Sequence, residues 1–84
     1  MKKYRSKPVE IEAIQFKAIL PDELMLDSRV KYSEKKGIRS PYLIIQTPEG
    51  NHQADFGDWI IRGLEGELYP CKDSVFQKKY EVVK

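Results

Sequence analysis

Asp58-Trp59-Ile60-Ile61-Arg62-Gly63-Leu64-Glu65-Gly66-Glu67-Leu68-Tyr69-Pro70-Cys71 contains two short runs rich in β-branched and aromatic residues, Trp59 to Arg62 and Glu67 to Pro70. The intervening segment carries Gly63 and Gly66, residues that adopt positive φ without strain, so the whole predicts a β-hairpin with a loop of about four residues. Side chains alternate across a strand, which places Trp59 and Ile61 on one face and Ile60 and Arg62 on the other. With one Trp, five Tyr and three Phe in 84 residues, large apolar side chains are scarce. Trp59 is therefore expected to point inward beside Ile61 as the largest core residue.

Upstream of the hairpin, Tyr42-Leu43-Ile44-Ile45-Gln46-Thr47 has the β-branched density of a central strand. Pro48-Glu49-Gly50-Asn51 reads as a turn, and His52-Gln53-Ala54 as a short antiparallel return. A tight corner at Asp55-Phe56-Gly57 would then feed the chain into Trp59, giving a meander of consecutive strands. Nearer the start, Val9, Ile11 and Ala13 alternate with Glu10 and Glu12 as a half-buried strand does, but Ile14 and Phe16 fall on the opposite parity. Either both faces are covered there or a bulge resets the register near Ala13.

Between residues 17 and 40 no clean period survives. Pro21, Asp22 and Glu23 suit the first turn of a brief helix whose Leu24 and Met25 would cover one end of the sheet. Arg29 to Tyr32 suggests a short strand, and the polar segment 33–41 a solvated loop. After Cys71, Asp73 or Ser74 can cap a short helix, with Ser74 and Gln77 at capping-box spacing. Phe76 and Tyr80 stand four apart on one side of it. Two turns of helix are unstable alone, so packing of Phe76, Tyr80 and Val75 on the sheet must hold them. Glu81 to Val83 would continue as an edge strand beside the Val9 strand.

The predicted fold is α+β: a small antiparallel sheet, a meander of four to five strands, with a short C-terminal helix packed against it. Residues 1–84 are enough for one domain, with a small core and a net stability of a few kcal/mol. The expected core comprises Ile11, Leu43, Ile45, Trp59, Ile61, Leu68, Phe76 and Tyr80.

Composition excludes more than it selects. Charged residues at 33% are ordinary for a soluble domain, and a net charge of +2 falls short of the clustered bases that polyanion binding needs. Lys2, Lys3, Arg5 and Lys7 form a basic N-terminal arm, residues 1–7, read as a solvated terminus whose charge Glu10 and Glu12 blunt. A lone Cys71 forms no internal disulfide and fits a reducing, cytoplasmic setting; no apolar run approaches membrane-spanning length.

Chemistry-bearing residues are few. His52 and Cys71 are the sole histidine and cysteine, nothing orients one toward the other, and Cys71 reads as a packing residue. Asp55 and Asp58 fit turn formation better than a metal site, which needs a longer series of oxygen ligands. One Cys and one His build no zinc site, and no phosphate-cradling loop is present. No catalytic, cofactor or metal residue is therefore expected. The candidate ligand-binding set is Arg62, Tyr69 and Lys72: if Trp59 and Tyr69 lay exposed beside Arg62 and Lys72, they could stack a base and neutralise its phosphate. With Trp59 buried, that platform vanishes and Arg62 is left to pair with a carboxylate such as Glu67.

Gly57-Asp58-Trp59-Ile60-Ile61-Arg62-Gly63, then Gly66-Glu67-Leu68-Tyr69-Pro70-Cys71-Lys72, Phe76 and Tyr80-Glu81, together with Lys3-Tyr4-Arg5-Ser6-Lys7-Pro8-Val9 and Glu12-Ala13-Ile14-Gln15, resemble a widespread family of small uncharacterised phage and prophage proteins. The resemblance covers both ends and the central hairpin and omits residues 17–40. It implies a phage or prophage accessory protein in the host cytoplasm and brings no catalytic residues with it. The expected function is protein–protein interaction, with a host or viral protein or a second copy as partner. The alternative is a nucleic-acid or nucleotide-binding module using the basic arm and the Arg62/Lys72 region.

Overall fold

The parity conflict between Ala13 and Ile14 is the key to the architecture. In the computed structural model, which describes residues 1–6, 9–17, 20–33 and 41–82, the Val9–Gln15 strand runs without a bulge. Its pairing steps evenly through Glu12–Arg62, Ala13–Ile61, Ile14–Ile60 and Gln15–Trp59. Both faces of the strand are covered. Ala13 packs with Trp59, Ile61 and Phe76, whereas Ile14 packs against a second cluster that contains Phe16 and Ile60.

The elements in chain order are β1 (Lys2–Ser6), β2 (Val9–Gln15), α1 (Asp22–Met25), β3 (Val30–Ser33), β4 (Tyr42–Thr47), β5 (Gly50–Asp55), β6 (Trp59–Arg62), β7 (Leu68–Cys71), α2 (Asp73–Lys79) and β8 (Glu81–Val82). They form two antiparallel sheets, one ordered β7-β6-β2-β1-β8 and the other β3-β4-β5. The fold is α+β, as the sequence predicts, but the single meander divides. β3, β4 and β5 are consecutive neighbours, and at Asp55–Asp58 the chain leaves their sheet and starts the β6–β7 hairpin in the other.

The result is three layers. Between the sheets lie nine buried residues: Phe16, Leu20, Leu24, Val30, Leu43, Ile45, Ala54, Ile60 and Leu68. Between the five-stranded sheet and α2 lie four, Ala13, Trp59, Ile61 and Phe76, with Ile11, Cys71 and Tyr80 half-covered at the margin. At roughly 1.5–3 kcal/mol per large apolar side chain removed from water, the inter-sheet cluster supplies most of the hydrophobic stabilisation. Of the expected core, Leu43, Ile45 and Leu68 belong to the inter-sheet cluster. Trp59, Ile61 and Phe76 belong to the helix cluster, with Ile11 and Tyr80 beside them.

Several local expectations change. Lys2–Ser6, read as a solvated arm, is a strand paired with β2 on one side and β8 on the other. Opposite charges favour it, since Lys3 stands across from Glu12. β8 accordingly sits beside β1 rather than beside the Val9 strand. In α1, Leu24 is buried but Met25 is half-exposed. In the hairpin Gly66 takes φ +82° as expected, whereas Gly63 does not adopt positive φ. A Cβ on Gly63 would instead collide with the Glu67 carboxylate, which folds back to accept the Glu65 N–H at 3.2 Å. Of the loop 33–41, Ser33 ends β3 and the remainder through residue 40 lies outside the described residues.

The C-terminal helix forms without its predicted cap. Lys72 occupies the N-cap position with no side-chain hydrogen bond, so the Ser74–Gln77 capping box is absent. Phe76 is the one buried residue of α2 and Val75 is half-exposed. What holds the helix is a parallel stack of Phe76 on Trp59, centroids 3.9 Å apart and planes 5° from parallel. Tyr80, just past the helix, leans on Phe76 at 5.0 Å.

Candidate functional site

The sheet-to-sheet corner and the start of α2 converge on one polar cluster. Asp55-Phe56-Gly57-Asp58 turns with Gly57 at φ +96°, a conformation costly to any residue with a Cβ. The Asp58 N–H donates to the Asp55 carbonyl at 2.9 Å, and the Asp58 carboxylate accepts the Asp55 N–H at 2.9 Å. The corner is bolted to β2, because the Phe16 N–H donates to the Asp58 carbonyl at 2.8 Å and the Gly57 N–H to the Phe16 carbonyl at 2.6 Å. The Asp58 carboxylate thus does the turn-forming work that its sequence context predicts, whereas Asp55 joins the turn through its backbone and its carboxylate accepts from the Gln53 amide at 2.7 Å.

Lys72 closes this corner. Its Nζ lies 3.0 Å from Asp58 and 3.2 Å from Asp55, so an ammonium stands where a divalent cation between two carboxylates would have to sit. Among the described residues no group of three or more His, Cys, Asp or Glu side chains gathers around a common point. The two carboxylates raise the Lys72 pKa. The Gln53 amide and then Lys72 hold the Asp55 carboxyl below its ordinary range.

A third carboxylate, Asp73, joins β2, β6 and α2. Its Oδ1 accepts from Trp59 Nε1 at 2.8 Å, Gln77 Nε2 at 3.2 Å and Gln15 Nε2 at 3.4 Å. The Trp59 indole bond, followed by the Gln77 amide, lowers the Asp73 pKa. Gln15 also donates to the Gly57 carbonyl at 2.9 Å. The arrangement gives the buried indole N–H the partner that its burial demands. Gln15 and Asp73 were not singled out as site residues in the sequence; the only signal was Asp73's place at the head of a helix, and it points there to a cap.

The candidate ligand residues do not come together as a binding surface. Trp59 is 8% exposed, covered by Phe76, so it offers no stacking face. Arg62 lies on the inter-sheet face and pairs with Glu12 of β2 at 3.3 Å and Glu23 of α1 at 3.8 Å; the expected partner Glu67 is replaced by these two. Tyr69 is half-buried opposite Ile61. Burial first, then Glu67, Glu49 and Glu65, push its phenol pKa up, and three nearby carboxylates repel a phosphate. Lys72 is engaged at the corner.

His52 and Cys71 lie in different sheets. His52 is an exposed residue of β5 in the three-stranded sheet, and Cys71 a half-buried residue of β7 opposite Trp59 in the other. No hydrogen bond joins the two, and burial raises the Cys71 thiol pKa, the opposite of what an activated nucleophile requires. The thiol packs at the edge of the helix cluster, as its sequence context suggests.

β5 is an edge strand with outward-facing backbone groups. It ends the three-stranded sheet, so no strand among the described residues pairs with its outer side. Gln46 donates its N–H to Arg29 on the β3 side at 2.8 Å, so Asn51 opposite it, and Gln53 by alternation, turn their backbone groups away from β4. Asp55 would do the same, but its N–H and carbonyl are taken by Asp58, which closes the edge at that end.

Compared with protein-family models, curated proteins and solved structures, the chain matches none. No helix among the described residues is long and apolar enough to cross a membrane.

Proposed function

We propose that the protein is a phage- or prophage-encoded accessory of the host cytoplasm that acts without catalysis, by binding a host or viral protein or a second copy of itself through the outer edge of β5. The observation that carries this reading is the character of that edge. Sheet edges are ordinarily protected by charge, proline or shortness. Among the edge strands here, β3 carries Lys31, β7 carries Pro70 and β8 has two residues. β5 has six residues, and its exposed middle, Asn51-His52-Gln53, bears no Lys, Arg or Pro. A partner strand would add to it by main-chain pairing.

The nucleic-acid alternative loses support, since Trp59 is covered and Arg62 and Lys72 are held by carboxylates. The test uses Gln53→Pro, which removes an outward N–H and leaves the β4 pairing intact. Native and variant chains are compared by size exclusion with light scattering over a range of concentrations, and by pull-down from host lysate. We expect self-association or a captured partner with the native chain, lost in the variant at an unchanged melting temperature. A native chain that stays monomeric and retains nothing, or a variant that binds as well, refutes the reading.

A further inference from the structure

Helix α2 has seven residues, about 10 Å of axis at ~1.5 Å per residue. The five strands beneath it span about 19 Å at ~4.8 Å per step. One short helix therefore leaves part of this sheet face open, and the uncovered part is concave. Where β1 begins alongside the end of β2, a groove of about 540 Å³ is lined by Met1, Lys2, Ala13, Ile14, Gln15, Pro21 and Trp59. That volume lies within the range of small-molecule sites, roughly 300–1,000 Å³.

The lining decides what the groove can take. Ala13, Pro21 and the edge of the Trp59 ring present hydrocarbon and indole. Most polar donors nearby are committed: Trp59 Nε1 to Asp73, Gln15 Nε2 to Gly57 and Asp73, and the Met1 ammonium to Glu23 at 2.9 Å. Lys2 is the exception. It is exposed, forms no hydrogen bond or ion pair with a described residue, and stands opposite Ala13 on the groove's own face. A wholly apolar guest would strip water from that ammonium without replacing it. A polyphosphate would bring several charges to a single cation.

We propose that this groove binds a small carboxylate with an apolar body, a medium-length acyl chain or an aromatic acid, its hydrocarbon against Ala13, Pro21 and Trp59 and its carboxylate against Lys2. The inference is independent of the β5 edge, which lies in the other sheet.

The test starts with the full chain and anilinonaphthalene sulfonate, an apolar anion that accepts excitation energy from tryptophan. Trp59 is the only tryptophan, so the transfer has a single donor, and displacement by decanoate together with the Lys2 variants locates the probe in the groove. Decanoate is then added as the competing carboxylate. Saturable transfer at one probe per chain, displaced by decanoate and weakened about five-fold or more by Lys2→Glu but retained by Lys2→Arg, supports the proposal; an exposed ion pair is worth up to ~1 kcal/mol, about five-fold. Decanoate should also shift the Trp59 indole N–H and the Ala13 and Ile14 amide resonances of the unmutated chain, a readout that needs no variant. Non-saturating transfer, failure of decanoate to displace the probe, equal affinity in Lys2→Glu, or resonance shifts confined to other residues overturns it.

Discussion

Truncating Phe76 to alanine should release the C-terminal helix and expose the indole beneath it. A seven-residue helix with no side-chain cap has no independent stability in water, so what keeps it folded is the contact of Phe76 with Trp59, Ala13 and Ile61. Phe→Ala in a packed site costs about 3–5 kcal/mol, and a stacked aromatic pair adds about 0.5–1.5 kcal/mol beyond its buried area. A domain of 84 residues holds about 4–13 kcal/mol in total, at ~0.05–0.15 kcal/mol per residue. The loss is thus a large fraction of the whole, and at about 4–8 °C per kcal/mol it lowers the melting temperature by at least ~12 °C. Phe76→Leu, which keeps most of the volume, should cost much less. The assay is urea unfolding followed by Trp59 fluorescence, with iodide quenching measured under native conditions. Native Trp59 should resist iodide in the absence of urea, and Phe76→Ala, which strips the ring that covers it, should admit iodide there. A loss below ~1 kcal/mol together with unchanged quenching would show that the helix is held by something other than this ring pair, and would refute the reasoning.

Three further outcomes follow from the corner and its neighbours. Gly57→Ala should destabilise by roughly 1–2 kcal/mol in chemical denaturation, purely through backbone strain at φ +96°, because an added Cβ meets nothing within 4 Å. Asp58→Ala, which strips a 6% exposed residue from the Asp55 N–H and the Lys72 ammonium, should cost about 1–3 kcal/mol, whereas Lys72→Ala, at an exposed side chain, should cost no more than ~1 kcal/mol; the reverse order in urea titrations would contradict the assignment. Asp27, Asp55 and Asp73 all have pKa values below their ordinary 3.8. Their contribution is therefore complete above that value and fades as pH falls through the lowered folded values. Melting temperatures between neutral pH and about pH 3 should drop, and Asp73→Asn, which keeps an oxygen for the Trp59 indole, should flatten part of that drop.

Much of the five-stranded sheet's centre was legible in the chain, because its signals are local. Two glycines and two β-rich arms set the hairpin, and alternation correctly sorted Trp59 and Ile61 from Ile60 and Arg62. The division into two sheets was not legible. Asp55-Phe56-Gly57-Asp58 has every mark of a turn, but which sheet the next strand joins is settled by its pairing with β2, more than forty residues earlier in the chain. The opposed parities of Ala13 and Ile14 were the one trace of covering on both sides. β1 was hidden by its charge, since Lys2, Lys3 and Arg5 give no apolar period, and a strand held between two neighbours needs none. The site-level misses have the same origin. Arg62 pairs with Glu12 and Glu23 and Asp73 with Trp59 and Gln15 only after distant strands have aligned, so short-range rules assigned them a hairpin partner and a helix cap.

β6 is a shared wall. Ile60 faces one cluster while Trp59 and Ile61 face the other, and its backbone is sandwiched between β2 and β7. Neither compartment can loosen without disturbing the same four residues. The molecule should consequently open as one unit, with the amides of that strand the last to trade hydrogen for deuterium and the two compartments failing in a single step.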